Sequence, residues 1–209
     1  MKITIIGAGG SVGSPAAFYL ATQKLADEIL MIGGRKQNVL QQHAMDISTA
    51  VSSRDVKVYA GDYDDMKGSD IVLIAAGVPQ GIIKDRMEML PKNTELMKRF
   101  AEYIQKFCPN AVIITATNPA DPMNYATCLA GQFDRKKVIG YTINDTYRYR
   151  EFLARSFNVA VSRVGGYVIG EHGSSQVLLF STARIDGKPI EVGESIQKKR
   201  YKEIPLVLK

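Results

Sequence analysis

Two histidines occur in the 209 residues, and one of them, His172, stands in Gly170-Glu-His-Gly173 directly after an apolar run. Imidazole is the side chain best matched to proton transfer near neutral pH. A solitary histidine is more often a structural or surface residue, so any chemistry here depends on what the fold brings to it. A second feature with chemical potential opens the chain. The apolar segment Lys2–Gly7 runs into Gly7-Ala-Gly-Gly-Ser-Val-Gly13 and then into a stretch of helical spacing, Pro15–Gln23. Glycines let the backbone bend tightly and let a pyrophosphate approach the main chain, while the following helix N-terminus offers unpaired N–H groups. The spacing is G-x-x-G-x-x-G through Gly7, Gly10 and Gly13, with Gly9 as an extra. Strand, turn and helix in this order point to a dinucleotide site made by Gly7, Gly9, Gly10, Ser11, Val12 and Gly13. A tight turn of purely structural purpose is the other reading.

The segment after the second apolar run bears on which dinucleotide. An NAD site usually carries an Asp or Glu about 20 residues beyond the turn, bonded to the ribose 2′-hydroxyl. Here Glu28–Ile32 ends in Gly33-Gly34-Arg35-Lys36, with no acid and two cations. Arg35, beside Gly34, can pair bidentately with a 2′-phosphate. The expectation is therefore NAD or NADP, leaning to NADP; solvation of the next helix start is the competing role for Arg35 and Lys36.

Other classes are excluded by what the chain lacks. Cys108 and Cys128 have no metal-ligand spacing, so no metal site is expected and both read as reduced structural thiols of a cytoplasmic protein. The net charge of +6 comes from scattered cations, the densest group being Lys198-Lys199-Arg200, read as a solvated helical face. No basic run is interleaved with aromatics, which argues against nucleic acid. The apolar runs are too short to cross a bilayer, and the glycines after Ile6 exclude a signal peptide.

The elements that must position these groups follow from periodicity. Strands are expected at Lys2–Gly7, Glu28–Ile32, Val56–Tyr59, Asp70–Ala76, Ala111–Thr117 and Lys137–Gly140, several as continuous Val/Ile/Leu runs buried on both faces. Helical spacing fills the intervals, for example Asn38–Val51 and Arg86–Phe107. This alternation predicts an α/β, doubly wound Rossmann-type parallel sheet over residues 1–144. From 145 the pattern changes: a helix at Asp145–Phe157, then strands at Val164–Ile169, Val177–Ile185 and Lys188–Val192, with a hairpin turn at Asp186-Gly187. Residues 145–209 are thus expected to form an α+β substrate domain, incomplete at its end, where Ile204, Leu206, Val207 and Leu208 open a helix in need of partners.

Taken in order, the glycine turn, His43-Ala-Met-Asp-Ile47, Ala75-Ala-Gly-Val-Pro79, Thr117-Asn-Pro-Ala-Asp121, Asp145-Thr-Tyr-Arg148 and Gly170-Glu-His-Gly173 resemble the lactate/malate dehydrogenase family. The resemblance implies hydride transfer between NAD(P) and a small 2-hydroxy or 2-keto acid. It implies His172 as the proton acceptor and donor, with Asp145 holding one ring nitrogen; from the sequence alone Asp145 could equally cap its helix. It implies Arg148, one helical turn on, as the clamp for the substrate carboxylate, and Arg86 as the group on a closing loop that polarises the carbonyl. Asn118 would bond substrate, and Thr117, Asn118 and Asn93 would line the cofactor. Family members acting on malate usually carry Arg where this chain has Gln80, so the substrate leans towards lactate, although the glycine turn resembles the malate branch and Lys84 could supply a cation. Ser174 replaces a usual Asp. The resemblance also implies a homo-oligomer, dimer or tetramer, and long helices beyond residue 209. Without those, the alternative is a dinucleotide-binding module that lacks turnover.

Overall fold

The computed structural model describes residues 1–33, 37–78, 86–173 and 175–207, without the side chains at 37, 86, 87 and 203–207. The chain divides into two compact units, Met1–Tyr141 and Thr142–Lys209.

The first unit is a six-stranded parallel sheet. Its strands are β1 (Lys2–Ile6), β2 (Glu28–Ile32), β3 (Lys57–Ala60), β4 (Ile71–Ile74), β5 (Val112–Thr115) and β6 (Val138–Gly140), in the order β3-β2-β1-β4-β5-β6. Alternate side chains feed two separate cores, as the two-residue period of a strand requires. Ile3, Ile5, Ile29 and Met31 pack with Ala17, Ala21, Leu40 and Ala44, from helices α1 (Gly13–Thr22) and α2 (Gln37–Ala50). Ile6, Leu30, Ile32, Val72, Ile74 and Ile113 pack on the opposite face with residues of α3 (Leu90–Phe107) and α4 (Ala120–Gly131). The expected helix from Arg86 begins as a 3-10 turn, Arg86–Met89, and becomes α-helical only at Leu90, with Pro91 in its first turn. A proline there costs nothing, because its missing N–H would have had no partner.

The second unit joins α5 (Asn144–Phe157) to an antiparallel sheet of β7 (Val164–Ile169), β8 (Val177–Ile185) and β9 (Lys188–Pro189), in that order, and α6 (Glu194–Val207). Tyr149, Phe152, Leu153, Val164, Leu178 and Ala183 form its core. The hairpin turn carries positive φ at both Asp186 and Gly187, the requirement of a type I′ turn. The strand expected to reach Val192 is assigned only over Lys188–Pro189, although Ile190 N still donates to Ala183 O at 3.1 Å just beyond it. The basic group on α6 needs a correction. Lys198 faces solvent and pairs with Glu194 at 3.0 Å, but Arg200 is only 2% exposed and lies 5.6 Å from the centre of the Phe152 ring. Three consecutive helical residues span most of a turn, so they cannot share one solvated face.

Candidate functional site

In the first unit, β1 and β4 are neighbours although β2 follows β1 in the chain, so the strand order reverses between them. Open α/β sheets bind ligands at that point, beyond the carboxyl ends of the strands. The glycine turn lies there. Gly7 has φ +91°, and a Cβ on it would stand 2.5 Å from Ala76 N; a Cβ on Gly13 would stand 2.3 Å from Gly7 O. Gly7 and Gly13 are therefore demanded by the close packing of turn, strand and helix. Gly9 is not: its Cβ would meet only Leu40 Cδ1, at 3.6 Å. Gly9, Gly10, Ser11 and Val12 are all exposed. The N-terminus of α1 has no side-chain cap and no acidic residue in its first turn. Ser14 N is taken by Gly10 O at 3.0 Å and Pro15 has no N–H, so any amides this end offers an anion lie in the turn before the helix.

The loops after β4 and β5 are locked together by Asn93. This residue lies on the buried stripe of α3 with Met97, Phe100 and Ile104 and is 2% exposed. Its Oδ1 accepts from Val78 N at 2.8 Å, and its Nδ2 donates to Asn118 O at 2.7 Å. An asparagine expected to touch cofactor is thus engaged at both ends of its amide in holding two loops. The Thr117 hydroxyl donates to Ala76 O at 2.7 Å, closing the same gap from the other side. Asn118 is half-buried, with its peptide bond to Pro119 in the cis form. Gly34, Arg35, Gln80, Lys84 and Ser174 lie outside the described residues; of Arg86 the backbone alone is described, in its 3-10 turn.

In the second unit, His172 meets Asp145: Nδ1 and Oδ2 are 2.5 Å apart, with the side chains 9% and 6% exposed. The helix-cap role for Asp145 does not hold, because Ile143 is the cap residue and the carboxylate is directed to the imidazole. Arg148, one turn along α5 and 40% exposed, approaches the other carboxylate oxygen at 3.4 Å. The turn carrying His172 is tied down on its far side, where Gln176 Nε2 donates to Gly173 O at 3.0 Å and the Ser175 hydroxyl donates to Glu171. Thr146 and Arg150 also contact β7, through Val168 N and Gly166 O. No sequence signal marks these two residues or Gln176, since each acts on main-chain atoms of a separate segment. The second histidine, His43, lies on α2 and borders a hollow with Ser14, Pro15, Phe18, Asp46 and Ile47. Burial pushes the Cys108 thiol up to about 11, which keeps it protonated and inert. Among the described residues no group of histidine, cysteine and carboxylate side chains is placed to hold a metal ion. Among them, too, no helix is long and apolar enough to cross a membrane.

Residues 1–140 match the family model described as lactate/malate dehydrogenase, NAD binding domain, and residues 142–205 match lactate/malate dehydrogenase, alpha/beta C-terminal domain. An L-lactate dehydrogenase of Clostridium acetobutylicum is 37% identical over 191 residues, covering 90% of this chain and 60% of that protein. A malate dehydrogenase of Staphylococcus epidermidis is 35% identical over 194 residues, covering 91% and 62%. Among solved structures, the lactate dehydrogenase of Cryptosporidium parvum complexed with lactic acid and nicotinamide adenine dinucleotide superposes with a TM-score of 0.87. It is 31% identical, covering 99% of this chain and 66% of that one. The malate dehydrogenase of the same organism gives 0.91 at 30% identity, covering 97% and 67%. The chain spans about three fifths of the length of the curated relatives it matches.

Proposed function

The chain belongs to the lactate/malate dehydrogenase family, and from that premise we propose that it interconverts a small 2-hydroxy acid and its 2-keto acid with a nicotinamide dinucleotide as hydride partner. The observation that carries this reading is the 2.5 Å pairing of His172 Nδ1 with Asp145 Oδ2. An ionised carboxylate can only accept, so Nδ1 carries the ring hydrogen and the lone pair of the neutral imidazole falls on Nε2. In oxidation that lone pair takes the substrate hydroxyl proton while the C2 hydrogen leaves as hydride. In reduction the imidazolium returns the proton to the oxygen at C2. Asp145, nearly buried, offsets the positive ring that forms. When bound, the nicotinamide ring supplies or takes up the hydride.

The remaining roles follow from chemistry and resemblance together. The exposed main chain of Gly9, Gly10, Ser11 and Val12, with the uncapped start of α1, receives the pyrophosphate. Thr117, Asn118 and the loops that Asn93 joins border the cofactor, and Asn118 bonds substrate. Arg148 has guanidinium donors to spare beyond its long contact with Asp145 and takes the substrate carboxylate. Arg86 polarises the carbonyl. Gln80, a neutral amide, favours pyruvate over oxaloacetate, and the absence of an acid at Gly33-Gly34-Arg35-Lys36 favours acceptance of NADPH.

The test is oxidation of NADH and of NADPH by the purified chain with pyruvate and with oxaloacetate. Turnover that His172→Gln abolishes while nucleotide still binds is the expected result. Nucleotide binding without turnover for either acid replaces this reading with a binding module. A strong preference for NADH removes the NADP assignment, and dominance of oxaloacetate removes the one based on Gln80.

A further inference from the structure

Among the described residues β7 is the edge strand of its sheet, so half of its main-chain groups have no strand there to pair with. N–H and C=O groups alternate in direction along a strand. Tyr167 N donates to Thr182 Oγ1 on β8, which turns the N–H and C=O of Gly166 and Val168 the other way, towards α5. There they are met. Val168 N donates to Thr146 Oγ1 at 3.1 Å, and Arg150 Nε donates to Gly166 O at 3.0 Å. Thr146 and Arg150 are four apart on a helix, Gly166 and Val168 two apart on a strand, and both spacings are close to 6 Å. The helix side chains therefore act as two rungs in place of a missing strand. The rungs are braced. The Arg150 guanidinium lies over the rings of Tyr147 and Tyr167 at 5.7 and 5.3 Å. Gly166 is extended at φ +154°, and a Cβ on it would stand 2.9 Å from Tyr149 Cε1, so only glycine lets α5 approach this closely.

We infer that Thr146 and Arg150 are positioning residues that clamp the free edge of β7 onto α5 and thereby set the Asp145–His172 pair. Asp145 immediately precedes the first rung. His172 follows Val168 by a short path that leaves β7 at Gly170, where φ is +88°. A slip of β7 by one residue along α5 moves it by about 3.3 Å, more than a hydrogen bond can absorb. A mutation at either rung should therefore act at the imidazole, which neither rung is seen to touch.

The inference deepens the proposed reaction by naming what aligns its proton carrier, but its test needs no turnover. In chain labelled with 15N-histidine, the ring nitrogens of the two histidines report tautomer directly, and His43→Gln identifies the His172 signals. The parent and Thr146→Ser should show His172 held as the Nδ1–H tautomer, with a downfield ring proton protected from solvent. Thr146→Val and Arg150→Met should each lose that proton signal and give mixed tautomers, at temperatures where circular dichroism shows the chain folded. Should Thr146→Val not fold, Arg150→Met carries the same test. A persistent Nδ1–H signal in a folded variant lacking either rung overturns the clamp and leaves the proposed reaction standing. An inactive parent chain with the expected pattern overturns the reaction and leaves the clamp standing.

Discussion

A carboxylate at position 145 gives His172 something no neutral isostere can: an acceptor that is never a donor. Asparagine in its place can present its NH₂ to Nδ1, which drives the ring hydrogen to Nε2, the nitrogen that the proposed reaction needs empty. Asp145→Asn should therefore lower kcat by about 10²–10⁴-fold, with a smaller effect on KM for the acid. Steady-state kinetics on the two chains decides this, and equal kcat would mean that the pairing at 2.5 Å does not govern proton transfer. Asn93 works through its shape. Both ends of its amide are used, on Val78 N and Asn118 O, from a position 2% exposed. Asn93→Leu keeps the volume and strands both partners, which should cost about 2–4 kcal/mol of stability. Urea unfolding measures it; a loss below 1 kcal/mol would show that the loops find other partners.

The β1–turn–α1 element makes a sharper distinction among its glycines than their spacing suggests. A methyl group on Gly13 would lie 2.3 Å from the Gly7 carbonyl oxygen, a backbone atom that cannot turn aside, whereas one on Gly9 would meet a leucine methyl at an ordinary 3.6 Å. Gly13→Ala should destabilise the first unit by about 3 kcal/mol. Gly9→Ala should leave its stability nearly unchanged and weaken only nucleotide binding, because the space it fills is where the proposed function places the pyrophosphate. If the two variants melt together, the turn is not packed as described. The strand-and-helix alternation of this unit is legible in the sequence because strands buried on both faces must be apolar throughout, and residues such as Ile3, Leu30, Val72 and Ile113 leave no other reading. The meeting of His172, Asp145 and Arg148 is legible too, since they stand in short motifs. What stays hidden are contacts made to main-chain atoms far away in sequence. Thr146 reaching Val168, Arg150 reaching Gly166 and Asn93 spanning two loops are set by packing, and Arg200 reads as one more surface cation until α6 is seen to bury it.

Across the chain as a whole, each unit holds a titrating group that ties its stability to a different end of the pH scale. In the first unit the Tyr59 hydroxyl donates to Glu28 at 2.6 Å and Lys2 stands 3.1 Å away; these hold the Glu28 carboxyl below its ordinary value of 4.5. A depressed carboxyl stabilises the fold above its unfolded pKa and loses that contribution as pH falls through the folded value, so this unit should weaken below about pH 4.5 and Glu28→Gln should flatten the decline. The second unit behaves in the opposite sense. Tyr149 is fully buried, its hydroxyl has no hydrogen-bond partner among the described residues, and burial pushes its pKa from 10.0 up to about 12. The folded chain keeps the phenol neutral while the unfolded chain ionises near pH 10, so stability is whole below that pH and falls as pH rises towards the folded value, by at most about 2–3 kcal/mol. Tyr149→Phe keeps the ring that packs edge-on against Phe180 at 5.5 Å and deletes only the stranded oxygen. The variant should gain about 1 kcal/mol at neutral pH and lose less stability in alkali than the parent does. Because the chain has no tryptophan, far-ultraviolet circular dichroism in urea at pH 7 and near pH 11 is the suitable measurement. A phenylalanine variant that is less stable at pH 7 and equally sensitive to alkali would mean that the hydroxyl has a partner and that Tyr149 contributes more to the unit than its ring.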